Sequence, residues 1–247
     1  MSGGILNLID KRVHSMIPEL SPGVIIAILS SFRRIGVNAN MIPLCSKDLV
    51  TQVSSLACTL DIRTFLLSTR ALAGMGFSWQ TLNNDQRIGI AAGIARAATA
   101  NPTKLPSILL VLVELKATWE DIHEKIPVVL RYVVFKVFAS VRPPESMTSE
   151  ERKSTLLYLE AVLKLFVDMK ASWNLIGDKA GITILQALSV LRLEQNEEYS
   201  IIPLVSAIFC DISPKVHDAV PLEFHFLFFI KNDGIIRIPL TNKGITS

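Results

Sequence analysis

The chain repeats itself, and that repeat constrains its fold more than any other feature. Three segments share one pattern: Leu72-Ala-Gly-Met75-Gly-Phe77-Ser-Trp79-Gln-Thr-Leu82, Leu112-Val-Glu-Leu115-Lys-Ala117-Thr-Trp119-Glu-Asp-Ile122 and Phe166-Val-Asp-Met169-Lys-Ala171-Ser-Trp173-Asn-Leu-Ile176. A weaker copy from Phe32 to Ile42 carries Ala39 where the others carry tryptophan. Ile35, Met75 and Leu115 are spaced by 40 residues, and Met169 follows Leu115 by 54. The surplus coincides with a polar, proline-containing insertion at 142–153. Flanking columns agree, with Ile25, Phe65, Leu105 and Leu159 upstream and Val50, Ile90, Leu130 and Ile184 downstream. All three tryptophans of the chain fall in one column, each followed three positions later by Leu82, Ile122 or Ile176, as Ala39 is followed by Ile42. A period of this length is the signature of stacked supersecondary units.

Each unit reads as two helices. Ile25, Ile28, Leu29, Phe32 and Ile35 form one stripe at helical spacing. Ser21 before Pro22 is a start signal, and Thr148 with Glu151 makes a capping box. The first helix is expected to end near Gly36, Gly76, Lys116 and Lys170, with the tryptophan in the elbow beyond it. A second helix follows, over about 88–98 in the second unit, where Gly89 and Gly93 leave room for a neighbour. One such hairpin cannot bury its apolar face alone, so the units must stack. The reading divides the chain into an N-terminal extension (1–20), a repeat array (21–195) and a degenerate cap with a tail (196–247). In the tail, Phe224, Phe226, Phe228 and Ile230 alternate ahead of Asn232-Asp233-Gly234 and Ile235 to Ile238. That pattern predicts a small β-hairpin leaning on the last helices or on a partner.

Composition narrows what such an array does. Half of the residues are hydrophobic (50%) and only 19% are charged, below the roughly 25% of an ordinary soluble domain. No apolar run reaches the ~18 residues of a membrane span; Ile108–Val113 is closed by Glu114, and Val128–Val141 is broken by Arg131 and Lys136. The excess hydrophobicity therefore reads as surface covered in an assembly. A net charge of +3, spread along the chain, permits RNA contact without demanding it. Cys45, Cys58 and Cys210 are odd in number and far apart, the pattern of a reducing compartment. The first twenty residues lack the features of a secretory signal, and Asp10 and Glu19 interrupt any presequence-like pattern. His14, His123, His217 and His225 are scattered, no cysteine stands at metal-ligand spacing from them, and no phosphate-binding glycine loop occurs. The sequence thus predicts neither an enzyme nor a metal, cofactor or small-molecule site.

The Leu-x-x-Met/Leu-Gly/Lys-Phe/Ala-x-Trp-x-x-Leu/Ile motif on two-helix units of this length resembles the octotricopeptide-like and heptatricopeptide-like repeats. These occur in organellar RNA-binding proteins, including those with FAST-kinase-like and RAP domains. The resemblance covers about residues 21–195. It implies an all-α fold, a right-handed alpha solenoid of about four units, working on organellar RNA in the mitochondrial matrix. Free RNA factors of that kind carry many more units, several end in a RAP domain, and the residues after Pro203 do not match one. The expected role is therefore a structural component of a mitochondrial ribosome, contacting ribosomal RNA and neighbouring proteins. The alternatives are an adaptor subunit of another mitochondrial complex and a free organellar RNA-processing factor.

Two sets of residues carry this expectation. Arg33, Arg34, Arg70 and Lys164, in or near the later turns of first helices, are candidates for phosphate contact, against a reading as solvated helix surface. Trp79, Trp119 and Trp173, with Ile42, Leu82, Ile122 and Ile176, read as structural residues of the elbows, against a reading of the indoles as base-stacking platforms. The insertion at 142–153 reads equally as a contact arm or a loop.

Overall fold

A computed structural model of the protein describes residues 3–122, 125–193 and 195–228. In chain order its α-helices are α1 (Gly3–Met16), α2 (Pro22–Arg34), α3 (Pro43–Leu56), α4 (Ile62–Gly74), α5 (Asn84–Ala100), α6 (Leu105–Glu114), α7 (Lys125–Phe138), α8 (Ser149–Asp168), α9 (Trp173–Ile176), α10 (Asp178–Leu191) and α11 (Gln195–Phe209). The described residues contain no strand, and no helix among them is long and apolar enough to cross a membrane.

Packing order differs from chain order. One layer runs α2, α4, α6, α8, α11, each helix against the next; the other runs α1, α3, α5, α7, α10. Alternation by two is what a row of hairpins produces, so the all-helical packing is that of a helical repeat. A single continuous core lies between the layers, and the repeat columns Phe65, Leu105 and Leu159 and Ile90, Leu130 and Ile184 are all 0% exposed within it. The second layer shares the repeat's register from its start: α1 and α3 are both 14 residues long, and they begin at Gly3 and Pro43.

Each of the four first helices, α2, α4, α6 and α8, stops by the same device. Gly36, Gly76, Lys116 and Lys170 have φ of 71°, 94°, 56° and 54°, the left-handed conformation that closes a helix. The next residue then bonds back five positions: Val37 N–H to the Phe32 carbonyl (2.9 Å), Phe77 to Leu72 (3.2 Å), Ala117 to Leu112 (2.9 Å) and Ala171 to Phe166 (2.9 Å). The chain leaves each helix in one direction, and the second helix returns beside it. Small residues set how closely second helices approach. A methyl group at Gly89 would stand 2.4 Å from the Ser54 carbonyl oxygen of α3, and one at Gly93 2.6 Å from the Phe65 ring.

The insertion is mostly helix. Pro144–Ser146 make one 3-10 turn, and α8 then starts on the Thr148–Glu151 capping box, with both reciprocal bonds present. Its added first turns are fixed to the end of the array by Arg152, which donates to Glu197 of α11 at 2.6 and 2.7 Å.

The predicted C-terminal hairpin is corrected in its first arm. Leu222–Phe228 forms a 3-10 helix, and the turn and second arm lie outside the described residues. Phe224 and Leu227, 2% and 1% exposed, are three positions apart. A 3-10 helix with three residues per turn puts this pair on one face and buries it in the core of the array, where a lone hairpin would be marginal in water.

Candidate functional site

The elbows line up along one end of the hairpins and are bonded to one another. The backbone N–H of Ala39 donates to the carbonyl of Met75 (2.8 Å), that of Trp79 to Leu115 (2.7 Å) and that of Trp119 to Met169 (2.8 Å). Each bond runs from one unit to the residue that closes the first helix of the next. Indole N–H groups follow the same rule: Trp79 Nε1 donates to the Asp121 carbonyl at 2.7 Å and Trp119 Nε1 to the Leu175 carbonyl at 3.2 Å. At the last elbow no complete unit follows among the described residues, and acids take over. Asp211 accepts the N–H groups of Trp173 (2.8 Å) and Asn174 (3.3 Å), and Asp178 accepts the Trp173 indole at 2.7 Å.

Trp79, Trp119 and Trp173 are 1–2% exposed, and Ile42, Leu82, Ile122 and Ile176 no more than 4%. Trp119 stands edge-on to Phe166 of the next unit (ring centroids 5.3 Å apart), and Trp173 stands edge-on to Phe209 (5.4 Å). A methyl at Gly181 would be 2.5 Å from the Trp173 ring. The indoles therefore wedge one unit against the next as well as filling their own hairpin. Their faces are not open to a base.

The four cations lie on the layer of first helices, but they do not form one cluster. Arg33 and Arg34 are exposed on the last turn of α2. The Arg33 stem lies across α4, 3.1 Å from where a methyl at Gly74 would stand. Arg70 of α4 is engaged by Glu114 of α6, Nε at 2.9 and 3.0 Å and Nη2 at 2.6 Å, and this partner raises the guanidinium pKa above its ordinary value. Lys164 is exposed on α8, separated from Arg70 by the whole of α6, whose residue in the same column is Leu110.

Two further features carry chemistry of a modest kind. A cleft of about 560 Å³ opens between α7 and the added turns of α8, lined among others by Lys136, Arg142, Ser154, Thr155 and Tyr158. The Tyr158 hydroxyl donates to the Pro102 carbonyl at 3.0 Å, and burial pushes its pKa up to about 12. Asp10 of α1 is 4% exposed and accepts the N–H groups of Leu44 (3.2 Å) and Cys45 (2.8 Å) at the start of α3. Burial, with Asp10 beside it, pushes the Cys45 thiol up to about 12, so this cysteine is inert as a nucleophile. Among the described residues no group of three or more His, Cys, Asp or Glu side chains is arranged to hold a metal ion.

Sequence reasoning missed Asp10, Glu114, Asp211 and Arg131, which donates to the Leu175 carbonyl at 2.9 Å. Their partners are 34 to 44 residues away, and only the column alignment, by naming which helices adjoin, offered a signal. No protein-family model, curated protein or solved structure matches the chain.

Proposed function

We propose that this protein is a non-catalytic helical-repeat scaffold, a right-handed alpha solenoid that holds RNA and neighbouring proteins in a large assembly. We read that assembly as a mitochondrial ribosome in the matrix. The resemblance of the tryptophan-centred motif to octotricopeptide-like repeats supports the RNA and the compartment. The observation that carries the scaffold reading is a bare apolar stripe on the second layer: Ile88 of α5 and Val128 and Tyr132 of α7 are 43%, 63% and 58% exposed. Side chains of that size on adjacent helices are surface for a macromolecular partner.

A specific observation favours the second reading, an adaptor held by protein contacts alone. Arg70, one of the four candidate cations, is committed to Glu114, which leaves Arg33, Arg34 and Lys164 to meet phosphate. The experiment is to recover the tagged protein from its organelle and sediment it with and without ribonuclease. Co-migration with ribosomal particles that ribonuclease abolishes supports the first reading. Co-migration with a ribonuclease-resistant complex supports the second, and recovery with short transcripts free of ribosomal particles supports a free processing factor.

A further inference from the structure

α8 departs from the repeat at its start. It begins at Ser149, ten residues ahead of Leu159, whereas α2 and α4 begin three residues ahead of Ile25 and Phe65 in that column and α6 begins at Leu105 itself. α6 thus has no counterpart to the added turns of α8, and the end of α7 faces them across the cleft of about 560 Å³. Two clamps hold this wall in place. Arg152 meets Glu197 of α11 at 2.6 and 2.7 Å, with side chains only 17% and 12% exposed. The Tyr158 hydroxyl donates at 3.0 Å to Pro102, in the 3-10 turn ahead of α6. The cleft is therefore preformed, has the volume of a ligand site, and asks its occupant to order little of the protein.

Its chemistry is one-sided. Val137, Val141, Met147 and Leu159 give an aliphatic floor, Lys136 and Arg142 stand on the wall, and none of the described side chains that line it is a carboxylate. Lys136 is exposed and makes no ion pair among the described residues. Arg142 has Glu151 at 3.6 Å, an exposed pair whose carboxylate also accepts the Thr148 N–H at 2.8 Å. We propose that the cleft is a docking site for a short acidic segment of a partner protein, with one apolar side chain flanked by Asp or Glu. The apolar side chain enters the aliphatic floor, and the flanking carboxylates pair with Lys136 and Arg142. A single-stranded RNA would match the charge, but its bases stack on aromatic faces. The one ring here, Tyr158, is half-buried and tied to Pro102. The inference rests on the scaffold reading, whose neighbouring proteins it narrows to one chemistry.

The test selects random peptides displayed on phage against the immobilised full chain, then titrates the enriched peptides by fluorescence anisotropy. Sequences with an apolar residue between acidic ones are expected. Lys136→Glu with Arg142→Glu weakens their binding by about tenfold or more, as does Ser154→Trp, which fills the cleft from its wall. Val128→Lys on the outer face of α7 leaves it unchanged. All three cleft positions are exposed, so these variants should melt like the parent. A second measurement needs no variant: an enriched peptide with a photoreactive diazirine at its apolar position should label residues 137–159, read by mass spectrometry. A selection that yields no peptide sensitive to the cleft variants overturns the proposal, and so does labelling elsewhere. Random-sequence single-stranded RNA that binds and is lost on the same variants, with no such peptide found, overturns it in favour of nucleic acid. Sedimentation from the organelle can fail while a cleft-dependent peptide is found, and the converse, so this inference and the scaffold reading fall separately.

Discussion

If the tryptophans hold unit to unit, substitutions at Trp119 must separate two contributions that the structure places on one side chain. The ring is 2% exposed and packs edge-on against Phe166. Its N–H reaches the Leu175 carbonyl at 3.2 Å, and that carbonyl also accepts from Arg131 Nε at 2.9 Å. Trp119→Ala removes the ring and leaves a cavity between α6, α7 and the next unit, which costs about 3–5 kcal/mol. Trp119→Phe keeps most of the ring and loses only a hydrogen bond whose acceptor stays satisfied by Arg131, at about 1 kcal/mol. Arg131→Met alone likewise leaves the indole donor in place. The double variant strands the carbonyl, so its loss should exceed the sum of the singles by about 1 kcal/mol. Urea unfolding of the four proteins, compared through midpoint and slope, gives each value. Strict additivity would refute the shared-acceptor argument. A Trp119→Ala protein that melts like the parent but loses RNA affinity would refute the wedge altogether and restore the base-stacking reading.

Other expectations follow from single contacts. Gly89→Ala places a methyl 2.4 Å from the Ser54 carbonyl and should destabilise by about 1–3 kcal/mol, read in the same urea assay. Lys116→Gly and Lys170→Gly relieve left-handed backbone at φ 56° and 54° and should each stabilise by up to about 1 kcal/mol, Gly being at home there. The Asp61 carboxyl is held below its ordinary pKa by the Thr64 side chain and N–H, and that of Glu151 by the Thr148 N–H and side chain. A lowered folded pKa gives stability that is present above the unfolded value near ~4 and is lost as pH falls through the folded one. Asp61→Asn with Glu151→Gln should therefore flatten the acid limb of a stability–pH curve. Cys45, buried and with its pKa raised to about 12, should resist iodoacetamide at pH 8 while the exposed Cys58 and Cys210 react.

The elbows were legible because they depend on local geometry written at fixed offsets. A left-handed residue four after Phe32, Leu72, Leu112 or Phe166 needs glycine or a tolerated lysine, and the residue three beyond it is a buried tryptophan in the three units after the first. Helix starts marked by Thr148 with Glu151 were legible for the same reason. The expected second helix of unit two, about 88–98, proved longer at Asn84–Ala100, because Asn83 and Gln86 form a capping box that the run of alanine and glycine overshadowed. The tail misled because Phe-x-Phe-x-Phe fits a strand's period of two and also places Phe224 three residues from Leu227. The candidate cations were legible only as charges. Whether Arg70 is free depends on Glu114, 44 residues away, and no local pattern encodes that distance.

What the repeat preserves is the backbone junction, and side chains vary around it. Ala39 makes the same bond to the next unit as Trp79 and Trp119 do, at 2.8 Å against 2.7 and 2.8 Å, although it has no ring to bury. The junction between Trp119 and Met169 has that geometry even though the insertion lies between them in sequence. Main-chain donors and acceptors do not depend on side-chain identity, so a unit can lengthen its first helix, exchange glycine for lysine at the turn, or lose its tryptophan and still stack. The same logic explains why the array needs aspartates at its last elbow. Where no complete unit follows among the described residues, the part-buried N–H of Trp173 would go unpaired, and a buried unpaired donor costs about 1–3 kcal/mol. Asp211 supplies the acceptor that a next unit would have brought. An Asp211→Ala variant should thus loosen the fourth unit first, with hydrogen exchange rising around Trp173 and α10 while α3 to α6 keep their protection. Uniform loss of protection along the array would mean that the junctions do not act one by one.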